Sequence, residues 1–437
     1  MTLPPPDPAP IAVTSRRTAL KLAMLGLAGA GAPLIAQAPR GFTHGVASGE
    51  PGAHQVLLWT RYASDQDETL TWEVAADADF RRIVASGNAK ASPASDCCAK
   101  AWARGLKPGR WYHYRFIARD GSKSVTGRTR TLPVGNVPSF RLAVFTCANF
   151  GFGWFNAYAH AAQSGEFDLA LHLGDYFYEY ERGEYPSAKE TVDSRLVPVN
   201  EATTLEGYRD RYRTYRNDPD LQRLHQMMPM VCVWDDHETA NDTWQNGAEN
   251  HQPGEGDWAL RKAASEQAWR EWLPVSDDYY AQYEIGQLAT LFRLETRHLA
   301  RSLQLDLGAV AKGAAPGQLE AAFSAFRDGA WRSEERTLMG PKQEAWLGRG
   351  MKASVRAGKT WQVLAQATEQ LEVHGGASVA SRRGPLDAGQ GGAGGRRHTM
   401  APGCRHPCRQ AAEGGAVGIR IDGRGLLPPE PLERTLA

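Results

Sequence analysis

The chain has 437 residues, a net charge of +1 and a pI near 7.7, with 42% hydrophobic and 23% charged residues. Balanced charge removes the main argument for a nucleic-acid partner, which calls for a basic patch or stripe, and six Cys in this length is not the density of a disulfide scaffold. The length sets an expectation of two or three domains.

The N-terminus reads as an address. Ser15-Arg16-Arg17-Thr18-Ala19-Leu20-Lys21 precedes a mildly apolar, Gly/Ala-rich run that ends at Ala36-Gln37-Ala38. A charged region, a short apolar region and a small-residue cleavage site make a secretory signal. The Arg-Arg pair before a weakly apolar run resembles a twin-arginine signal. Residues 1–38 are therefore expected to engage the twin-arginine export machinery and to place the mature chain in the periplasm or outside the cell. The plainer alternative is an ordinary secretory signal or anchor.

Residues 41–133 read as all-β. Stretches 55–60, 70–74 and 111–116 gather or alternate β-formers between Gly, Pro and Asp turns. They predict a small β-sandwich of the fibronectin or immunoglobulin kind, with Cys97-Cys98 as two unpaired thiols. Residues 133–138 (Pro-Val-Gly-Asn-Val-Pro) read as a linker. Strands then alternate with helices: strands at 141–145, 168–173, 230–234, 289–295 and 360–365, and helices at 155–163, 205–224, 259–272 and 342–355. That alternation predicts a layered α/β domain.

Chemistry follows each of the first three strands of this region. After the first comes Thr146-Cys147-Ala148-Asn149, after the second Gly174-Asp175-Tyr176-Phe177-Tyr178, and after the third Asp235-Asp236-His237-Glu238-Thr239-Ala240-Asn241. Carboxyl ends of strands line the ligand crevice of open α/β sheets. Thiolate, carboxylate, phenolate and imidazole are metal-holding groups. Taken singly, each has a plainer reading: Cys147 as a small buried hydrophobe, Asp175 as a turn cap. Two adjacent carboxylates after an apolar strand repel unless a cation or hydrogen bonds offset them, so together the three ends favour a metal site.

The set Cys147-x-Asn149, His172-Leu173-Gly174-Asp175-x-x-Tyr178-x-Tyr180 and Trp234-Asp235-Asp236-His237-Glu238 resembles the alkaline phosphatase D (PhoD-like) family of calcineurin-like metallophosphoesterases. The segments Thr296-Arg297 and Gln343-Glu344-Ala345-Trp346-Leu347 carry the likeness as far as about Gln366. The resemblance implies an α/β/β/α metallophosphoesterase domain over residues 139–366, behind the β-sandwich. It also implies hydrolysis of phosphate monoesters or diesters by a metal-bound hydroxide, with iron (Fe3+) and calcium as cofactors. On that resemblance Cys147, Asp175 and Tyr178 match iron ligands, and Asp175 bridges to calcium. Asp236, with Asp235 or Asn241, completes the calcium side. His237 helps bind phosphate or protonate the leaving oxygen, Asn149 sits beside it, and Arg297 is a candidate phosphate clamp. Glu295 stands where the family more often has Asp. A phospholipase D-like diesterase and a non-catalytic exported binding protein are the competing readings.

The tail departs from the family. Its Gly-Asp-x-His ligand pattern is absent from residues 362–437, which hold no Phe, Trp or Tyr and are rich in Gly, Arg and Pro. Such a composition buries too little apolar surface to offset chain entropy. Residues 367–437 are expected to be an aberrant tail without ordered structure, translated out of frame or a natural extension, leaving a metal site with one open side and a poorly active chain. Cys404-x-x-x-Cys408 with His406 lacks the second ligand pair of a zinc site.

Overall fold

The computed structural model describes residues 40–192, 194–367, 415–422 and 425–426; residues 1–38, expected to be an export signal, and most of the tail lie outside the described residues. In chain order the strands are β1 (Gly41–Gly49), β2 (Gln55–Ala63), β3 (Glu68–Ala75), β4 (Ile83–Ala91), β5 (Cys98–Arg104), β6 (Trp111–Ile117), β7 (Gly127–Arg130), β8 (Ser139–Thr146), β9 (Leu169–His172), β10 (Met230–Cys232), β11 (Ala281–Ile285), β12 (Ala289–Arg293), β13 (Trp361–Ala365), β14 (Gly415–Asp422) and β15 (Gly425–Leu426). The helices are α1 (Asn156–Ser164), α2 (Leu205–Arg216), α3 (Pro219–Met227), α4 (Trp258–Trp272), α5 (Leu307–Gly313), α6 (Leu319–Phe326) and α7 (Gly340–Arg356).

Period-2 burial builds the layers. In β8, Phe140 and Leu142 face one core and Ala143 and Phe145 the other; in β10, Val231 and Val233 oppose Met230 and Cys232. The first face packs on the sheet β11-β12-β13, whose Leu291 and Ala289 fill the space between. The second is covered by α1 to α4, with Tyr208, Tyr212 and Tyr215 of α2 on one stripe. Helix α7 closes the outer side through Leu347 against Phe292 and Leu294. This is the α/β/β/α order expected. The expected helix over 205–224 is two helices: Asp218 caps the second by accepting from the backbone N–H groups of Asp220 and Leu221, and Pro219 starts it.

The N-terminal strands do form a sandwich, with β4-β3-β6-β7 packed over β1, β2 and β5 through Val46, Leu58, Leu70, Val74, Tyr114 and Phe116. One of its two faces is not a separate sheet, however. Strand β1 pairs in parallel with β10 through Gly49 and Met230, so an eight-stranded sheet runs β15-β14-β8-β9-β10-β1-β2-β5. A Cβ on Gly49 would stand 2.2 Å from the Pro274 carbonyl oxygen, so only glycine permits this seam. The strands before and after residues 133–138 thus share one sheet, and the described residues from Arg40 onward cluster as one compact unit.

A buried ion pair pins the seam. Arg293 of β12 reaches Glu50 at 2.6 Å, with side chains 1% and 6% exposed, and Glu50 also accepts from the Ser276 N–H. Removing one member of such a pair strands the other charge. Arg293→Met should therefore cost about 3–5 kcal/mol in urea unfolding, and adding Glu50→Gln should recover most of it. A single variant within about 1 kcal/mol of the parent would show that the pair is solvated.

The tail is corrected in one respect. Strand β14 lies antiparallel to β8 over its full length, Gly415 opposite Thr146 and Asp422 opposite Ser139, with Ile421 buried. Its Val-Gly-Ile-Arg-Ile pattern carries enough apolar character to pair on an edge even without aromatics. The expectation of no ordered structure after residue 367 thus fails for residues 415–422.

Candidate metal centre

The ends of β8, β9 and β10 meet at one point. Cys147 and Asp175, the residues just past β8 and β9, both adopt left-handed backbone, φ 56 and 51. Non-glycine residues in that region cost of order 1–3 kcal/mol and cluster at functional sites. The Cys147 N–H donates to the Gly174 carbonyl at 3.2 Å. A Cβ on Gly174 would lie 2.4 Å from the Asp235 nitrogen, so glycine lets the second and third loops touch.

Asp175, Asp236 and His237 bring ligand-type atoms within 4.8 Å of one another, all three buried. The Tyr178 hydroxyl donates to Asp175 Oδ2 at 3.1 Å, while Asp175 Oδ1 has no hydrogen-bond partner and neither does Asn149 Nδ2. The side-chain oxygen of Asn149 accepts from the Gly151 N–H. Burial, then the neighbouring Asp235 and Asp236 charges, push the Asp175 carboxyl well above the usual range, although His237 opposes them. Burial also works to raise Asp236, but Arg297, His237 and the Asp242 N–H outweigh it and hold that carboxyl below its usual range. An orphaned buried carboxylate oxygen beside a second carboxylate and an imidazole fits a cation, and hard oxygen donors suit calcium or ferric iron.

Other expected residues are placed differently. Arg297 is not poised in an empty cleft: it holds Asp235 Oδ1 through Nε at 2.7 Å and Nη2 at 2.5 Å, and stands 3.6 Å from Asp236. Asp235 is thereby neutralised by a fork of donors. The Asn241 side-chain NH2 donates to Glu249 at 3.0 Å. Cys147 sits at the end of β8 with its Sγ 3.3 Å from the Thr146 hydroxyl, outside the tight triplet. Asp387 and His398, tail residues with ligand-type side chains, lie outside the described residues. Strand β14 carries its one carboxylate, Asp422, to the end of β8 remote from Cys147.

Three glutamates to which the sequence assigned no role organise the loops. Glu238 accepts from the Tyr176 N–H at 2.6 Å and the Asp235 N–H at 2.8 Å, bracing the second loop to the third. Glu295 accepts from the Trp234 indole and from the N–H groups of Arg297, His298 and Leu299. Glu179 takes His237 Nδ1 at 2.7 Å, and the ring of His237 packs 4.3 Å from Tyr178.

The PhoD-like phosphatase family model matches residues 142–410, and the N-terminal domain model of the same family matches residues 29–133. The chain belongs to the PhoD-like phosphatase family. Its similarity to alkaline phosphatase D of Bacillus subtilis (strain 168) is 36% identity over 346 residues, covering 74% of this chain and 55% of that protein. A solved structure of PhoD matches with a TM-score of 0.64 at 34% identity, over 77% of this chain and 63% of that one. The chain thus spans less than two thirds of the length of either relative. The PhoD-like match runs past Gln366, where the motif-based likeness stopped, so the first part of the tail retains family character.

Proposed function

We propose that this chain is an exported, metal-dependent phosphoesterase that hydrolyses phosphate monoesters or diesters, with iron and calcium as its metals. The observation that carries the reading is the buried Asp175–Asp236–His237 triplet with an orphaned Asp175 oxygen, in a PhoD-like chain. Asp175, Tyr178 and Cys147 would hold iron, and Asp175 with Asp236 would hold calcium. When bound, such metals supply Lewis acidity toward a phosphoryl oxygen and toward water.

The protein's own groups supply the rest. Arg297 neutralises Asp235 and biases Asp236, the less engaged carboxylate, toward the ligand role. Asn149 Nδ2 is an unspent buried donor for a phosphoryl oxygen. With Nδ1 taken by Glu179, Nε2 of His237 is the atom left to meet the leaving oxygen. Export rests on the twin-arginine-like signal; among the described residues no helix is long and apolar enough to cross a membrane.

The absence of a Gly-Asp-x-His pattern from residues 362–437 supports weak metal retention, since each missing anionic ligand leaves cationic charge less compensated. Sequencing the coding region around codon 366 tests the out-of-frame origin of the tail. The functional test is hydrolysis of p-nitrophenyl phosphate and bis(p-nitrophenyl) phosphate by the chain as purified, after chelation, and with iron and calcium resupplied at about 1 mM, the weak-site range for calcium. Low activity that rises on resupply supports the reading. No hydrolysis of either ester at saturating metal would favour the non-catalytic binding protein.

A further inference from the structure

An aromatic wall stands beside the metal centre. The ring of Tyr185 lies 5.5 Å from that of Tyr178, 5.7 Å from Tyr180 and 5.0 Å from Phe152. Tyr178 is the residue whose hydroxyl donates to Asp175, so Tyr185 is one ring removed from the acidic triplet. Tyr178 is buried, while Phe152, Tyr180 and Tyr185 are half-buried. The three neighbouring planes are inclined at 55°, 68° and 76° to that of Tyr185, so the rings make a corner rather than a stack. Two segments of chain build it. A Cβ on Gly151 would stand 2.6 Å from Pro186 Cγ, so glycine lets the turn after β8 dock on the loop that carries Tyr185. The Val192 N–H donates to the Gly151 carbonyl at 3.0 Å and ties the two together.

The wall is set among acids. Glu181 and Glu184 are exposed on the segment between Tyr180 and Tyr185. Burial, then the charges of Glu181, Glu179, Glu249 and Glu255, push the Glu184 carboxyl up. Burial, then Glu179, Asp236, Glu249 and Glu184, push the Tyr180 phenol up in the same way. Both shifts mark a negative field over the corner. The one cation of the run from Tyr178 to Tyr185 is Arg182, and its Nε is spent on the Val197 carbonyl at 2.7 Å. Faces of aromatic rings are themselves negative and attract cations, and nearby carboxylates add to that attraction.

We propose that Tyr185, with Tyr180 and Phe152, is the specificity-determining wall of the cleft and takes an ammonium group on the organic arm of the phosphate ester. The proposal rests on the phosphoesterase reading for the ester, but not for the cation. With the phosphoryl group at the Asp175–Asp236 centre, a short arm has only the ring of Tyr178 to pass before it meets Tyr185. An uncharged arm of the same shape packs on the same rings but draws nothing from the acids, and an anionic arm is repelled by them. Charge on the arm is therefore the property that the wall distinguishes.

The experiment compares two diesters of p-nitrophenol that differ only in the arm. One is p-nitrophenyl phosphorylcholine; the other is its 3,3-dimethylbutyl analogue, in which carbon replaces the quaternary nitrogen. The parent, supplied with iron and calcium, should favour the choline ester by about 10-fold in kcat/KM, expressed mainly in KM, as expected of a partly desolvated cation–π contact. Tyr185→Phe keeps the ring and should keep that preference, whereas Tyr185→Leu should cut it to about threefold or less. Equal use of the two esters by the parent, or a preference that survives Tyr185→Leu, overturns the proposal. Each variant is shown folded by a cooperative melt; if Tyr185→Leu does not fold, Phe152→Leu, which removes the ring 5.0 Å from Tyr185, is read in its place. Choline and 3,3-dimethylbutanol are titrated against the same proteins, followed by the broadening of their methyl NMR signals. Should neither ester be hydrolysed, the phosphoesterase reading fails on its own and the titration decides. Broadening of choline beyond that of its neutral isostere, lost in Tyr185→Leu, supports the wall, and equal broadening overturns it.

Discussion

Asp175→Asn is expected to make the metal-free protein more stable and the metal-loaded protein less stable. In the parent, Asp175 is 4% exposed, faces Asp235 and Asp236, and receives one hydrogen bond, from Tyr178. His237 offsets part of the repulsion. The amide keeps the shape, removes a buried charge, and turns the orphaned Oδ1 position into a possible donor toward Asp236, a change of about 1–3 kcal/mol in favour of the folded metal-free state. Metal binding should meanwhile fall to background, and with it the linkage stabilisation, which for a ligand at 100 times its Kd is about 2.7 kcal/mol. Any hydrolysis should drop by roughly a thousandfold, the loss expected when one preorganised electrostatic group of a site is removed. The check is a pair of melts, with chelator and with saturating calcium. A variant that melts lower than the parent in chelator, or that keeps the parent's rise with calcium, would mean that Asp175 is an ordinary structural carboxylate.

That opposite-sign behaviour concerns residues the sequence could nominate. Apolar runs such as Met230-Val231-Cys232-Val233 read as buried strands by themselves, and polar groups at the end of such a run have to go somewhere. The side-chain directions after the strand were not readable in this way. Asp235 and Asp236 are adjacent and chemically identical, and only the arrival of Arg297 from the loop after β12 tells them apart. Glu179 sits in a Tyr-Phe-Tyr-Glu-Tyr run with no periodicity, so its contact with His237, 58 residues away, has no local signal. Other omissions had a signal that was passed over. Ala281-Gln282-Tyr283-Glu284-Ile285 alternates cleanly, with Tyr283 and Ile285 buried, and so carries a local strand signal. The Asn217-Asp218-Pro219 break in α2 and α3 carries both a cap and a helix-starting proline. The seam between β1 and β10 is different again: it rests on one residue pair and on the absence of a side chain at Gly49, and composition cannot report a single close approach.

The metal-free protein should lose stability gently as pH falls from about 6.5 to about 4.5 and steeply below that. Three buried imidazoles drive the change. Burial holds His44 and His172 down to about 3, and holds His225 well below 6.5, with Arg216 adding to the effect at His44 and His225. At His172 the geometry explains why protonation is resisted: Nδ1 accepts from the Gly174 N–H and Nε2 pairs with the Tyr158 hydroxyl, so the neutral ring is fully used. A group whose folded pKa is depressed contributes stability that is complete above its unfolded value and is lost as pH falls toward the folded one. Buried carboxyls run the other way. Burial raises Glu238 to about 7 and lifts Asp175, so the folded state binds more protons than the unfolded one there and their contribution grows on acidification. The imidazoles and the raised carboxyls, Asp235 among them, oppose one another over this range, so the loss of stability there is small. Below about 4.5 Glu238 no longer differs between the states. Glu266 then joins the imidazoles: burial would raise it, but His298, Tyr279 and Arg270 hold it at about 2. The slope should therefore steepen, each further proton taken up on unfolding being worth about 1.4 kcal/mol per pH unit, against a total stability of about 5–15 kcal/mol for a protein of this kind. Urea unfolding followed by tryptophan fluorescence, at half-unit steps from pH 7 to 4 in chelator, measures both slopes. A stability that stays flat to pH 4 would mean that the three imidazoles are already protonated in the folded protein, and that the hydrogen bonds drawn to His172 are reversed.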